Sequence, residues 1–545
     1  MATSPETKPE TKTDRRGALE CWIEQHAAVA AGLVLAAGFL ARLWAASGTF
    51  LNPDEALHFR LANQVSLALA YRQSLTTVHP PLLILLLYFW RALGTSELWL
   101  RMPSVLAGTV FCWALFKWLT QVMGQLAGFI GLLFAALLPP LIALSAEVRQ
   151  YALLLAFLAC ALYFFERALA ENSAVLMLAS TLCLYLAMLS HYSAFFFAAA
   201  LGVYALAGIY AKRPPTQVTL AWALGQLGGL ALLLFLYVTH VSRLGGDDPA
   251  KVFQGGMSLD YISRSYFQPG RDNPVLFAIG HSFGVFQFLF GQLAVGVVAG
   301  LLFLAGIWWL LRRQALAGTS ILSRRLALLL LLPFALVCGA SFGRLYPYGG
   351  SRHVALLAMP ALAGVSLAVV RLAKGRWTRA VALTAVVAVV CLAFGKARLP
   401  TMERRDQSLA QMNAALEFLR QNARPAEPIF VDYQTDLLLG HYLCQQRPMR
   451  FDPAPAGSEE FSCGAFRVVC ADYKTGWMFS PENFLNVWPQ VASSYHLKAG
   501  DTIWVFQAGW SIVSPESLRS HFAGSSDLPI RNFGKNIRVL KLVIG

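Results

Sequence analysis

Two adjacent carboxylates, Asp54 and Glu55, follow Asn52 and Pro53 just after the first long apolar run of the chain. A proline that starts a helix, followed by acids that favour its positive N-terminal end, is enough to explain such a motif. An ionised carboxylate facing a membrane cavity can also take a proton from an attacking hydroxyl or amine, or hold a cation against phosphate. The motif alone does not decide between these interpretations.

A second acidic motif contains Glu147, Arg149 and Tyr151 and ends a later apolar run. Glu147 and Arg149 can simply pair at the membrane boundary, because the long arginine side chain reaches water readily. The same motif suits a cavity for a sugar phosphate, since a guanidinium group binds phosphate oxygens well. We therefore take Glu147 as a candidate catalytic residue, and Arg149 and Tyr151 as candidate ligands of a donor phosphate.

A third motif joins two later apolar runs and contains Arg344, Tyr348, Gly349-Gly350, Arg352 and His353. Paired glycines let backbone amides approach a ligand, although a tight turn with interfacial tyrosines is the plain alternative. An arginine and a histidine at the start of a span are costly unless they face water or an anion. We favour a clamp for a lipid phosphate, formed by Arg344, Tyr348, Arg352 and His353.

Two histidines, His79 and His191, stand at the ends of apolar segments. A lone histidine is more often structural than catalytic, but with a carboxylate it supplies ligands that suit a divalent cation. No compact spacing motif joins these residues. The sequence therefore offers His79, Glu147 and His191 as candidate metal ligands and makes no cofactor certain.

The elements that must position these residues are mostly membrane helices. The chain has 545 residues, of which 57% are hydrophobic and 13% charged, against about 25% charged in soluble domains. Apolar runs of membrane-spanning length recur from Ala27 to Phe394, and mixed composition follows. We predict a polar cytoplasmic tail at 1–24, a membrane domain at 25–396 and an extracytoplasmic domain at 397–545.

The chain has a net charge of +15, and residues 1–396 hold 29 of its 44 Lys and Arg but 15 of its 29 Asp and Glu. The excess positive charge thus lies in the membrane half, where basic loops set topology, attract anionic lipid or bind phosphate. Nucleic acid is therefore not an expected partner. The positive-inside rule places Arg15-Arg16 and the N-terminus in the cytoplasm. The apolar segment 79–94 is too short to cross, and reading it as non-crossing puts the later basic loops on the same side.

This topology gives about eleven transmembrane helices. Segment 54–71 is predicted as a helix on the membrane surface, and segment 79–94 as a re-entrant or interfacial helix, both on the outer side of a bacterial inner membrane. The spans are predicted near 27–46, 100–120, 125–145, 151–166, 174–190, 194–211, 218–239, 284–311, 326–342, 353–371 and 379–395.

The C-terminal part alternates helix and strand signals, which predicts a small α/β domain. Its three cysteines, Cys444, Cys463 and Cys470, allow one disulfide in an oxidising compartment, and the sequence does not choose the pair. Helices are expected near 407–421 and 435–444, and strands near 428–433, 466–471, 503–507 and 537–544.

Four motifs, in this order and spacing, resemble the GT-C superfamily of lipid-dependent membrane glycosyltransferases. The likeness is strongest to the branch of protein O-mannosyltransferases and of the aminoarabinose and galacturonic acid transferases of lipid A. It is good over residues 25–210, weaker to 395 and only architectural beyond. The motifs are Pro53-Asp54-Glu55, His79-Pro80-Pro81, Ser96-Glu97-Leu98-Trp99-Leu100-Arg101-Met102-Pro103-Ser104 and Glu147-Val148-Arg149-Gln150-Tyr151.

The resemblance implies that the first outer loop carries the essential acid, which corresponds to Asp54 with Glu55 as its companion. It also implies that Glu147 is a second acidic site residue. The aminoarabinose branch has Glu-Lys-Pro where this chain has Val78-His79-Pro80. The missing lysine puts aminoarabinose in doubt as the sugar.

The expected function is transfer of a sugar from a polyprenyl-phosphate donor to a lipid, glycan or protein acceptor of the envelope. Asp54 would act as the base of a single inverting displacement, while Arg149, Arg344 and Arg352 hold the departing phosphate. A transporter or flippase of lipid-linked sugars is the first alternative, although the inverted repeats that would favour it are not visible. A noncatalytic envelope assembly protein is the second.

Overall fold

The computed structural model describes residues 18–242, 262–312, 320–395, 406–425, 427–444, 452–453, 458–471, 488–489, 491–493, 495–510, 512, 514, 516 and 530–544. The N-terminal tail up to residue 17 and the predicted domain boundary at 396–397 lie outside these residues.

The membrane half is helical, and its segments Arg91–Leu93 and Arg352–Leu357 are short 3-10 helices. Its α-helices, in chain order, are α1 Ala18–Gln25, α2 Ala27–Ala46, α3 Pro53–Ala62, α4 Leu67–Ser74, α5 Leu82–Trp90, α6 Glu97–Met123, α7 Gln125–Leu137, α8 Pro139–Ser145, α9 Tyr151–Glu171, α10 Ala174–Ser190, α11 Ala194–Lys212, α12 Thr216–Thr239, α13 Pro274–Phe290, α14 Leu293–Leu311, α15 Ser320–Phe342, α16 Ala358–Leu372 and α17 Trp377–Phe394.

Within the described residues, nine helices are long and apolar enough to cross a membrane, or ten if the bent pair α7 and α8 is one span. The protein is therefore a multi-pass membrane protein, and the expected count of eleven is approximate. The single helix predicted at 284–311 was wrong. Two helices, α13 and α14, meet there at Gly291, whose φ of 68° is a left-handed conformation that glycine adopts without strain.

The first outer loop holds three short helices instead of the two predicted. The segment 54–71 divides into α3 and α4, because Ser66 caps a new helix by accepting a hydrogen bond from the backbone of Leu69. The segment predicted as non-crossing forms α5 and one 3-10 turn, Leu82–Leu93 in all, and belongs to the shorter apolar helices. A helix of that length is too short to span the hydrocarbon core.

A proline bend brings the second acidic motif towards α3. Helices α7 and α8 meet at 65°, where Leu138 is extended before Pro139. Proline lacks the backbone N–H that would continue the helix, and it disfavours helical conformation in the residue before it. The chain after α8 therefore turns towards the first outer loop, and the backbone N–H of Val148 reaches the side chain of Glu55 at 2.9 Å.

The span formed by Arg352–Leu372 lies at the centre of the membrane half and is almost wholly buried. Helix α14 packs against it through Gly306 and Gly364. A Cβ atom on Gly306 would lie 2.3 Å from the carbonyl oxygen of Gly364, so the two backbones touch. Small residues permit this close approach between membrane helices, and the contact fixes the span that begins with Arg352.

A polar cluster, which we call the inner cluster, joins α9, α11 and α15 through Glu166, Tyr204 and Arg325. Nη2 of Arg325 lies 3.0 Å from Oε1 of Glu166, and the hydroxyl of Tyr204 donates to the same oxygen at 2.5 Å. All three side chains are buried, which ties three membrane helices together.

The C-terminal part has a seven-stranded mixed sheet in the order β2-β3-β4-β1-β5-β7-β6. All predicted elements are present, whereas β2, β3 and β6 were not predicted. Cys444 pairs with Cys463, while Cys470 lies buried in β4. The elements are α18 Leu409–Asn422, β1 Ile429–Val431, α19 Tyr433–Tyr442, β2 Asp452–Pro453, β3 Ser458–Cys463, β4 Phe466–Ala471, β5 Thr502–Ala508, β6 Ile530–Asn532 and β7 Ile537–Val543.

Helix α19 of this sheet domain packs directly on α3, the helix that carries Asp54. Nη1 of Arg60 contacts Oδ2 of Asp436 at 2.5 Å, and Asp436 is fully buried. The hydroxyl of Tyr442 accepts a hydrogen bond from the backbone of Leu51 at 2.7 Å. The C-terminal domain therefore helps to hold the first outer loop in place.

Candidate active site

Helix α3 begins with a capping box formed by Asn52 and Glu55. The Asn52 side chain accepts a hydrogen bond from the Glu55 backbone at 3.0 Å, and the Glu55 side chain accepts one from the Asn52 backbone at 2.9 Å. Pro53 occupies the first turn. The local interpretation of the motif as a helix start is therefore confirmed, because these contacts satisfy N–H groups that the helix itself leaves unpaired.

The carboxylate of Glu55 is completely occupied. Its two oxygens accept hydrogen bonds from Nε and Nη2 of Arg101, each at 2.7 Å, in addition to the backbone bonds from Asn52 and Val148. The residue is 0% exposed. Four hydrogen bonds leave no lone pair suitably placed for a substrate proton, which argues against the predicted catalytic role of Glu55. Glu55 joins the first outer loop to α6 and to the segment after α8.

Asp54 has a different environment, although it is the neighbouring residue. Its Oδ2 atom lies 2.9 Å from Nη2 of Arg149 and 2.8 Å from Nη2 of Arg352. Both contacts use one oxygen, and among the described residues Oδ1 has no hydrogen-bond partner. The side chain is 13% exposed. Oδ1 is therefore the atom that a further group could reach.

Two positive charges lie against Asp54. Burial by itself would raise the pKa of Asp54, but the positive charges of Arg149 and Arg352 outweigh it and hold that pKa below its ordinary value. Two guanidinium groups share one carboxylate oxygen in a site with little access to water. Such a site favours an additional anion.

Glu147 lies beside this group as a second carboxylate. It is 7% exposed, and within the described residues its side chain forms no hydrogen bond. Burial and then the negative charge of Glu55 raise its pKa to about 7, despite the opposing charges of Arg352 and Arg149. At neutral pH the carboxyl group is therefore protonated in a substantial fraction of molecules.

Three histidine rings, starting with one that contacts Asp54, follow one another near the site. Nδ1 of His58 lies 2.5 Å from the backbone carbonyl of Asp54, and its ring centroid lies 6.1 Å from that of His79. The His79 and His191 centroids are 5.5 Å apart, and those of His191 and Tyr151 are 5.2 Å apart. The sequence pattern did not lead us to His58, although its position four residues after Asp54 places both on one helix face.

The predicted metal ligands do not assemble. Among the residues that the structure describes, no group of three or more His, Cys, Asp or Glu side chains is arranged to hold a metal ion. His79 and His191 are neighbours through their rings, but Glu147 does not complete a set with them. The expectation of a metal site at His79, Glu147 and His191 is thus not supported by their placement.

The loop before the central span contributes only part of the predicted phosphate clamp. Arg344 is exposed on that loop. Tyr348 is buried, and its hydroxyl lies 2.6 Å from the Ser282 hydroxyl. The half-buried His353 lies 3.2 Å from the Ser351 hydroxyl through Nδ1. Of the residues predicted from this motif, Arg352 is the one in contact with Asp54.

The paired glycines of the loop serve packing. A Cβ atom on Gly350 would lie 2.9 Å from the carbonyl oxygen of Gly284 in α13. Gly349 has a φ of 132°, and a Cβ atom there would lie 2.5 Å from Nδ1 of His281. The glycines thus admit a helix backbone where the sequence pattern predicted a ligand.

Residues 78–240 match the family model described as dolichyl-phosphate-mannose-protein mannosyltransferase. None of the curated proteins matches this sequence. One similar solved structure is ArnT from Cupriavidus metallidurans bound to undecaprenyl phosphate, with 13% identity, a TM-score of 0.52 and coverage of 96% of this chain and 98% of that chain. The apo state of ArnT from the same organism gives 14% identity and a TM-score of 0.51, with the same coverage of both chains.

At such low identity the solved structures show a shared fold, and the family model adds a match over the segment that carries Glu147, Arg149 and His191. The family model and the solved structures thus agree with the resemblance to the GT-C superfamily noted in the sequence: the fold is shared, and the family match covers residues 78–240.

Proposed function

We propose that this protein transfers a sugar from a polyprenyl-phosphate donor to a lipid, glycan or protein acceptor, with Asp54 as the base. The observation that carries the proposal is the contact of Arg149 and Arg352 with one oxygen of Asp54, which places two positive charges against one carboxylate. An ArnT structure of the same fold holds undecaprenyl phosphate, which supports the choice of carrier.

The reaction is a single displacement. The acceptor oxygen or nitrogen attacks the anomeric carbon, the bond from that carbon to the phosphate oxygen breaks, and the acceptor proton passes to Oδ1 of Asp54. The leaving polyprenyl phosphate gains negative charge, which Arg149 and Arg352 stabilise. Attack opposite the leaving group inverts the anomeric configuration. When protonated, Glu147 adds no negative charge to the phosphate site.

We place this reaction on the extracytoplasmic face of a bacterial inner membrane, with the N-terminus in the cytoplasm. The basic loops of the membrane half support this orientation. The disulfide between Cys444 and Cys463 also supports it, because disulfides persist in oxidising compartments.

The direct test uses purified protein in nanodiscs, a radiolabelled polyprenyl-phosphate sugar and an envelope extract as the source of acceptors. Asp54→Asn keeps a similar shape but cannot take a proton, and we expect it to lower the transfer rate by about 100-fold or more. Glu171→Gln is the matched control, because Glu171 lies in an exposed ion pair with Arg167. Its transfer rate should stay within about twofold of wild type.

Transfer by Asp54→Asn at the wild-type rate would remove Asp54 from the reaction. If the label instead stays on its carrier and crosses the bilayer of proteoliposomes, the protein is a transporter. The anomeric configuration of the product, read by NMR, tests the inversion separately.

A further inference from the structure

Several buried polar atoms beside Asp54 have no partner among the described residues. They are Nε2 of His58, Nε2 of His191 and the hydroxyl of Tyr151. These three residues are at most 3% exposed. Leaving such a group unsatisfied costs about 1–3 kcal/mol, and each case in a native protein calls for an explanation. Their position together indicates that something else supplies the missing hydrogen bonds.

The side chains form a continuous row. The ring centroids follow in the order His58, His79, His191 and Tyr151, with separations of 6.1, 5.5 and 5.2 Å. We call these four residues the histidine row. It begins at the backbone of Asp54 through His58 and ends at Tyr151, whose ring lies 5.9 Å from the Arg149 guanidinium group. The row therefore borders the reacting carboxylate and a proposed phosphate ligand.

The partner of Nδ1 in His58 and in His191 decides whether the unpaired Nε2 atom of that ring is a hydrogen-bond donor or acceptor. Nδ1 of His58 faces a carbonyl oxygen, so Nδ1 carries the proton and Nε2 of the neutral ring is an acceptor. Nδ1 of His191 accepts from the backbone N–H of Ser193 at 3.2 Å, so Nε2 carries the proton and is a donor. A donor and an acceptor in one row suit hydroxyl groups, which need both.

The row has no charged group of its own. Burial lowers the pKa of His58 to about 4, and the Arg149 charge acts in the same direction. Burial and Arg149 likewise lower the pKa of His191 to about 3. Both rings are therefore neutral near pH 7. The row itself offers no counter-ion to a charged sugar, because Asp54 is paired with Arg149 and Arg352 and these two arginines are the proposed ligands of the donor phosphate.

We propose that the histidine row binds the sugar of the donor and that this sugar is uncharged, with free hydroxyl groups. This proposal rests on the proposed function and specifies its substrate class. Glu147 is the nearby carboxylate without a hydrogen bond among the described residues, so a cationic sugar is the strongest competitor.

The test measures binding of four synthetic lipids to the purified protein in nanodiscs. They are polyprenyl phosphate without a sugar and the same lipid carrying mannose, galacturonic acid or aminoarabinose. We expect the mannosyl lipid to bind about 10-fold or more tightly than either charged sugar lipid, because unpaired charges are costly to bury. His191→Leu and Tyr151→Phe should each weaken binding of the mannosyl lipid about 3- to 10-fold, the value of one hydrogen bond.

Neither substitution should change binding of the lipid without a sugar by more than about twofold, because the phosphate contacts remain. Tyr163→Phe is the matched control, because Tyr163 lies on the same helix α9 but far along it from Tyr151. This variant should bind all four lipids as wild type does. Tyr151→Phe removes one oxygen atom, so it remains informative if His191→Leu fails to fold.

The outcomes separate the two proposals. Equal or tighter binding of a charged sugar lipid, or an equal loss for lipids with and without sugar, overturns the neutral-sugar proposal and leaves the donor carrier standing. If none of the four lipids binds, the proposed function fails, and the neutral-sugar proposal fails with it.

Discussion

Two clusters of arginine and carboxylate are buried in the membrane half, and they differ in the number of arginines on the carboxylate. In the inner cluster, one arginine, Arg325, meets one carboxylate, Glu166, and the Tyr204 hydroxyl bonds to the same oxygen. At the candidate active site, Arg149 and Arg352 share a single oxygen of Asp54. One cluster has one arginine for its carboxylate, and the other has two arginines on one carboxylate oxygen.

This difference separates a structural ion pair from a binding site. In a buried pair of one cation and one anion, the two charges compensate each other, and removing one partner leaves an uncompensated charge. A buried carboxylate with two arginines keeps one counter-ion when the other arginine is lost. The pair of Glu55 and Arg101, directly beside Asp54, is of the balanced kind. Residue type therefore does not identify the site, whereas the number of arginines that contact each carboxylate does.

The largest expected effect comes from removing one arginine from the active site. Arg352→Gln leaves Asp54 paired with Arg149, so Asp54 does not become an uncompensated buried charge. The departing phosphate loses one of its two cations, and we expect kcat/KM for sugar transfer to fall by about 100- to 1,000-fold. Arg325→Gln is the matched comparison in the inner cluster. Similar losses of kcat/KM per folded molecule in both variants would remove the distinction between the clusters.

The next effect concerns stability of the inner cluster. Arg325→Met leaves Glu166 buried without a counter-ion, which should lower the free energy of unfolding by about 3 kcal/mol. Adding Glu166→Gln removes that charge and should recover part of the loss. Denaturation of the purified protein, followed by near-UV circular dichroism, measures both changes. An unchanged stability in Arg325→Met would show that the pair does not hold α9 and α15 together.

A smaller effect is expected at the helix that presents Asp54. Asn52→Ala removes the side-chain cap of α3 and should cost about 1 kcal/mol of stability. Because the cap sets the start of the helix carrying Asp54, the transfer rate should fall as well. Ser66→Ala removes the cap of α4, so it should have a comparable cost in stability and leave the rate unchanged. Equal rates in both variants would mean that the start of α3 does not position the base.

The last prediction is a dependence of stability on pH. The pKa of Glu147 is raised to about 7, so between its ordinary value of 4.5 and that pKa the folded protein binds more protons than the unfolded chain. The contribution of Glu147 to stability is therefore lost as pH rises through this range. Glu147→Gln should abolish this part of the slope. We expect the melting temperature of wild type, relative to the variant, to fall from about pH 5 to about pH 8.

An unchanged difference between wild type and Glu147→Gln across this pH range would contradict the raised pKa. The comparison with the variant is needed because buried histidines act in the opposite direction. Their lowered pKa values make the folded protein gain stability as pH rises, and this contribution is common to both proteins.

The sequence was sufficient for the features that depend on composition and local pattern. Apolar runs of sufficient length predict membrane spans because the bilayer imposes a minimum length. The short run Leu82–Leu93 could be recognised as a different kind of element for the same reason. The start of α3 was also predictable, since Asn52, Pro53 and Glu55 act through contacts within one helical turn. The alternation of helix and strand signals along the C-terminal part predicted the central strands of its sheet.

The sequence by itself thus determined a multi-pass membrane protein with an acidic motif after its first span and an α/β domain at its C-terminus. Only the tertiary structure decided which of the two adjacent acids remains available. Neighbouring side chains on a helix point in different directions, and the partners that distinguish them are remote in the chain. Arg101 lies 46 residues from Glu55, and Arg352 lies 298 residues from Asp54, so local pattern carries no information about either contact.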